Sequence, residues 1–147
     1  MNEEFEEQIW QQLYTQFGVP KISGIRFILS GKRKVRAVSE NLLKKIEEKK
    51  VLSAGIYFAT LEPFNGMNTI RLSIEGSQII GAKATKNVIE IDSSLAEKWL
   101  KGEDIPIPPN FEGYVIVKDK SKNDFLGCGL ARNGRLVNFF PKARRIA

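Results

Sequence analysis

Five cations crowd the last sixteen residues: Arg132, Arg135, Lys142, Arg144 and Arg145, with no acid among them. Guanidinium and ammonium groups of this kind clamp phosphate oxygens through charge-assisted hydrogen bonds. Leu136, Val137, Phe139 and Phe140 are interleaved with them, a mixture that disordered tails rarely show. Asn138 carries amide donors and an acceptor suited to a base edge or a sugar hydroxyl. Phe139 or Phe140 offers a ring for stacking on a base, with burial the better reading for at least one of them. The competing reading of the segment is a solvated basic tail.

Other chemistry is excluded by what is missing. The 147 residues contain no histidine and one cysteine, so Ser-His-Asp and Cys-His nucleophilic arrangements and His-containing zinc sites are ruled out. Cys128 alone closes no intramolecular disulfide and completes no Cys-based metal cluster. It lies in Leu126-Gly127-Cys128-Gly129-Leu130, an apolar strand where a buried inert thiol is the expectation. Those glycines lack dinucleotide-loop spacing. On alternate strand positions they mark either a close approach of backbone or ligand, or barrel curvature. The adjacent carboxylates Glu47-Glu48 and Glu103-Asp104 sit in charged surroundings, with nothing to set them across a cleft. No catalytic residue, metal site or cofactor is therefore expected. No apolar run is long enough to span a bilayer, and the acidic N-terminus is unlike a signal peptide; a cytoplasmic protein is the default.

The net charge is +6, distributed unevenly. Residues 1–17 hold four glutamates and no cation, while residues 132–147 contribute +5. The elements that must position these charges read as follows. Phe5, Ile9, Leu13 and Phe17 recur at four-residue steps in a helix over 3–17, with Trp10 and Tyr14 widening the stripe. Gly18 and Pro20 stop it. Strands over 25–29 and 35–38 flank a Ser30-Gly31-Lys32 turn, and Ser39 caps a helix through Lys50. Strands follow over 55–62 and 69–75, separated by the Glu62–Gly66 turn cluster. A polar break over 83–87 suggests a domain boundary. Beyond it come a strand at 88–91, a helix for which Asp92-Ser93-Ser94 supplies capping side chains and Ser94 with Glu97 fits a capping box, and an extended segment containing Pro106, Pro108 and Pro109. Strands at 114–117 and 125–130 then lead to an Asn133-Gly134 hairpin turn and a final strand over 135–140.

From Lys86 to Arg145 the chain resembles a PUA domain, an RNA-binding pseudobarrel. The resemblance rests on Trp99-Leu100-Lys101-Gly102-Glu103-Asp104-Ile105, Gly113–Val117, Leu126–Leu130 and the ending Gly134-Arg135-Leu136-Val137-Asn138 with Pro141–Arg145. That ending is similar to the PUA-like tail of Nop/Sun-type rRNA 5-methylcytosine methyltransferases, whose cofactor loop and catalytic Pro-Cys motif have no counterpart here. Val35–Glu40, Gly55–Phe58 and Ile70–Ile74 resemble the α/β domain that precedes the PUA domain in the Nip family of ribosome-biogenesis factors. The resemblance implies a basic RNA surface at Lys101, Arg132, Lys142, Arg144 and Arg145, with Lys86 a weaker addition.

The expected architecture is thus α+β, a mixed α/β domain over residues 1–82 followed by a PUA-like β-barrel over 83–147. The expected function is RNA binding, to rRNA or its precursors, in ribosome biogenesis or rRNA modification. Its candidate residues are Lys86, Lys101, Arg132, Arg135, Asn138, Lys142, Arg144 and Arg145. The alternative is a protein-interaction adaptor for a separate rRNA methyltransferase or assembly factor, and exposure of the aromatic stripe over 3–17 would favour it.

Overall fold

Apolar residues four apart give the first helix its buried face. The computed structural model describes residues 2–46, 50, 54–64 and 66–147. In α1 (Glu3–Phe17), Ile9, Trp10, Leu13 and Phe17 are buried. Asn2 caps its start by accepting from the Phe5 amide at 3.0 Å. Tyr14, expected to widen the stripe, is 60% exposed; at 100° per residue it lies about 80° round the helix from the middle of the buried face. Glu6 falls inside that face. Its carboxylate accepts from Arg26 Nε at 2.7 Å, Arg26 Nη2 at 2.9 Å and the Phe27 amide at 3.0 Å.

This fork ties α1 to an antiparallel meander of β1 (Ile25–Ser30), β2 (Lys34–Ser39), β3 (Ile56–Phe64) and β4 (Met67–Leu72), in that spatial order. Gln16 fastens the helix to the far edge. Its amide donates to the Ile70 carbonyl at 2.7 Å and its oxygen accepts from the Ile70 N–H at 3.0 Å. The side chain thus takes the place of a neighbouring strand on β4. Ser39 caps α2 (Glu40–Lys45), accepting from the Leu42 amide at 3.1 Å; the expected continuation to Lys50 includes residues 47–49, outside those described.

In this first sheet two boundaries differ from the sequence reading, and in the second the strand expected over 135–140 ends at Val137. β3 continues through Pro63 and Phe64, which pair with Asn68 and Met67, so the turn is shorter than the Glu62–Gly66 cluster. The strand expected over 69–75 ends at Leu72. Ser73 turns the chain into α3 (Ile74–Ile80) by accepting from the Gly76 amide at 2.9 Å. Ile70, Leu72 and Ile74 keep their alternation across this cap because Ile74, the first helical residue, is buried as well. A period of two thus survives a change of element.

The second sheet contains β5 (Val88–Ile91), β6 (Ile105–Pro106), β7 (Gly113–Asp119), β8 (Asp124–Arg132) and β9 (Arg135–Val137), ordered β5-β7-β8-β9-β6. Only β5 and β7 run parallel. Between β5 and β6 the chain crosses the sheet through α4 (Ser93–Leu100), and the sheet curls around that helix as a half-barrel. The N-cap of α4 is Asp92, which accepts from the Leu95 amide at 2.9 Å, in place of the expected Ser94/Glu97 box. A carboxylate at that position also meets the positive end of the helix dipole. The turn into β9 places Asn133 and Gly134 at φ +50° and +78°, the left-handed pair a two-residue hairpin requires.

β7 is buried on both faces. Tyr114 and Ile116, with Cys128 and Leu130 of β8, join a core containing Leu13, Phe17, Phe58 and Ile70. Val115, Val117 and Ala131 join a second core around Trp99, Ile105 and Leu136. α3 straddles the two, with Ile80 in the first and Ile74 in the second. Residues on both sides of 82/83 therefore share the first core. Trp99 seats directly against Gly129, where an added Cβ would lie 2.6 Å from Trp99 Cη2 and 2.8 Å from Leu136 Cγ. Of the two readings of the alternate glycines, close approach is the one Gly129 serves.

Burial alone would raise the pKa of Glu6; the Arg26 hydrogen bond, the Phe27 amide and the charges of Arg26 and Lys21 outweigh it and hold the carboxyl below its ordinary value. A depressed folded-state pKa stabilises the fold fully above the unfolded value of about 4.3, and that stabilisation fades as pH falls through the folded-state value. Glu6→Gln is expected to cost about 2 kcal/mol at neutral pH. Urea unfolding of both proteins across pH should show the gap narrowing below about pH 4.

Candidate nucleic-acid interface

The chain after β9 folds back over the end of α4, and Asn138 holds it there. Its side-chain amide donates to the carbonyls of Trp99 at 2.9 Å and Glu103 at 3.0 Å. Its side-chain oxygen accepts from the Phe140 N–H at 2.6 Å, and its own N–H donates to Asp104 Oδ1 at 2.8 Å. Both amide donors and the oxygen are thus engaged within the chain. Asn138, expected to reach a base or sugar, instead anchors the surface on which its neighbours stand.

That anchoring separates the two phenylalanines. Phe140 is buried in the second core, while Phe139 is 37% exposed. The Arg71 guanidinium lies over the Phe139 ring at 4.6 Å from its centroid, and Tyr114 approaches at 6.2 Å. Arg71 comes from β4 and was not among the expected site residues. The sequence held a trace of it, a cation among alternating apolar positions, but nothing there connects residue 71 with residue 139.

The expected cations fall into three groups. Arg132 and Arg135 sit opposite each other across the β8–β9 pairing, with Arg135 Nη2 3.8 Å from Asp104 Oδ2. Around the end of α4, Lys101 pairs with Glu97 at 3.2 Å, and Arg145 donates from Nε to the Phe140 carbonyl at 3.1 Å while packing across Gly102. The adjoining 3₁₀ turn, Lys142–Arg144, carries Lys142 into solvent and pairs Arg144 with Glu75 at 2.6 Å. Lys86 lies apart, its side chain on a cleft shared with Lys118 and Phe125.

Arg132, Lys142 and Lys86 form no ion pair among the described residues, and all three are exposed. The ion pairs at Lys101, Arg135 and Arg144 are themselves solvent-exposed, worth about 0–1 kcal/mol each, so a phosphate can displace their carboxylates. The face can therefore present several cations and one exposed ring to a polyanion. Cys128 takes no part in such chemistry: burial pushes its thiol up to about 12 and keeps it protonated at neutral pH. No group of acidic, Cys or His residues suited to a metal occurs among the described residues. None of their helices is long and apolar enough to cross a membrane.

Residues 86–146 match the family model of the methyltransferase RsmF PUA domain. This part of the chain is a PUA domain resembling the tail of Sun/Nop-type methyltransferases, and the curled sheet around α4 is its fold. The PUA domain is an RNA-binding module and not a catalytic one, and the methyltransferase domain is not part of this chain. The match leaves residues 1–85, including Arg71 and α1, outside it. No match to the chain is found among curated proteins.

Asn138→Ala is expected to unseat the final segment. Losing its amide bonds at the end of α4 should cost about 2 kcal/mol, lowering Tm by roughly 4–8 °C in a calorimetric scan.

Proposed function

We propose that this protein binds rRNA or its precursors through the basic face formed by the ends of β8 and β9, the end of α4 and the 3₁₀ turn, in ribosome biogenesis or rRNA modification. The observation that carries the reading is the acid-free run of five cations from Arg132 to Arg145, inside a segment that matches an RNA-binding module. The exposed Phe139 beside it adds a stacking surface. The likenesses to Nop/Sun-type methyltransferase tails and to the Nip family favour ribosomal RNA over other RNA.

Phosphate contacts supply most of the affinity in this reading, so binding falls steeply with salt. Arg135 and Lys101 contribute beside Arg132 and Lys142, with Arg144 and Arg145 exchanging intrachain partners for phosphate. Lys86 reaches only an RNA that extends to the cleft beside Lys118. The adaptor reading would draw on an exposed aromatic stripe in α1, but Trp10 and Phe17 are buried there.

Arg132→Ala with Lys142→Ala tests the assignment without breaking any ion pair described above. Each phosphate contact contributes about 0.7–0.9 to the slope of log K against log salt, so the double variant should lose roughly 1.5 from it, along with affinity. Filter binding to rRNA fragments over a salt series measures both. Unchanged affinity and slope in a folded variant would remove these residues from the interface.

A further inference from the structure

The first sheet turns one face to α1, and its strands alternate to suit. Val35 and Ala37 on β2, and Ile70 and Leu72 on β4, are buried in the first core. Lys34, Arg36 and Arg71 lie between them in sequence and stand on the opposite face, by the two-residue period of a strand. Lys34 pairs with Thr60, and Thr60 with Arg71, so the three form one row across β2, β3 and β4. Tyr57 stands opposite Arg36 in the adjoining row, and its hydroxyl meets Thr60 Oγ1. Lys34 Nζ lies over the Tyr57 ring, 5.6 Å from its centroid.

This outer face keeps its positive charge. Lys34 and Arg36 form no ion pair among the described residues, and Arg36 donates from Nη1 to the neutral Gly55 carbonyl at 3.1 Å. Glu62 is paired with Arg33 and lies 3.9 Å from Arg71, so two guanidiniums answer one carboxylate. The face is also continuous with the C-terminal basic face, because Tyr57 and Arg71 line one cavity together with Phe139 and Arg144. A partly exposed ring with a cation over it thus occurs twice along one path, Tyr57 with Lys34 and Phe139 with Arg71. Surfaces that hold single strands combine these two parts: cations track the backbone and rings take bases. A duplex keeps its bases stacked inside and has none to give such rings. An acidic polypeptide would answer the cations and leave the rings unused.

We propose that an unpaired segment of the RNA held on the basic face crosses Phe139 and Arg71 and runs over the outer face of the first sheet. Its phosphates meet Arg71, Arg36 and Lys34, and one of its bases lies against Tyr57. The proposal rests on the RNA-binding reading above and extends it to residues outside the family match. The path ends at Lys34, the first residue of β2. The two sheets then share one interface, which selects an RNA whose bound structure continues into a single strand.

The probes are an rRNA hairpin carrying a long unpaired tail and the same hairpin without it. Lys34→Ala with Arg36→Ala should lose roughly 1.4 from the slope of log K against log salt for the tailed hairpin, from two single-strand phosphate contacts, together with several-fold in affinity. The tailless hairpin should bind this variant as it binds the unaltered protein. Ultraviolet crosslinking of the unaltered protein, read by mass spectrometry, should join the tail to Tyr57, and this readout does not depend on the variant folding. A tailed hairpin that binds without crosslinking to Tyr57, or whose affinity and slope are unchanged in a variant folded by circular dichroism, would overturn the path while leaving RNA binding intact. Equal losses for both hairpins would also overturn it, since the duplex would then be the part in contact. Loss of polyglutamate binding in place of RNA binding would assign the face to an acidic protein and contradict the proposal. If Arg132→Ala with Lys142→Ala changes neither hairpin while the tail still depends on Lys34 and Arg36, the basic-face reading fails and the sheet contact stands. If neither hairpin binds, both fail.

Discussion

Burial of β7 on both faces is the constraint from which the rest of this structure follows. A strand with one wet face alternates apolar and polar residues; β7 instead runs Tyr114-Val115-Ile116-Val117, because each face meets a different core. Its partner β8 must satisfy the same demand, and does so with Cys128 and Leu130 on one side and Ala131 on the other. Cys128 is thus a small apolar side chain by location, which explains a solitary thiol without chemistry. A PUA half-barrel that buries one face of its sheet against α1 and the first sheet is not a free module. Exposing Tyr114, Ile116, Cys128 and Leu130 together would leave a broad apolar patch.

With both faces of the central strands taken, charged groups are displaced to the ends of strands and to the strap that follows β9. Arg132 and Arg135 flank the hairpin turn, and Lys142, Arg144 and Arg145 fall on the last turn of chain. The strap is held by Asn138 and by the Ile146 N–H donating to the Leu100 carbonyl at 3.0 Å. A basic segment tied down in this way keeps its cations in fixed relation, and less conformational entropy is lost on binding. The same strap carries Phe139 to the seam between the sheets, where Arg71 meets it.

Much of this was legible in the sequence, for identifiable reasons. The helix stripe of Ile9, Leu13 and Phe17, the Asn133-Gly134 turn and the buried Cys128 follow from local patterning, which reports local geometry faithfully. Ser73 misled because the period-two run of Ile70, Leu72 and Ile74 continues into the first residue of a helix. Asp92 displaced Ser94 as the cap because several capping side chains stood in a row. Asn138 offered the right groups for a base, yet the carbonyls that claim them belong to Trp99 and Glu103, more than thirty residues away. Arg71 over the Phe139 ring was out of reach, since their meeting depends on how two sheets pack.

RNA bound as proposed sits on the C-terminal basic face and not on the other lysine-rich surfaces. Acylation footprinting of lysines with and without bound rRNA fragments, read by mass spectrometry, tests this most directly. Lys142 and Lys101 are expected to be protected, with Lys32 in the β1–β2 turn and Lys44 on α2 reacting as in the free protein. Protection of Lys32 and Lys44 with Lys142 still reactive would contradict it.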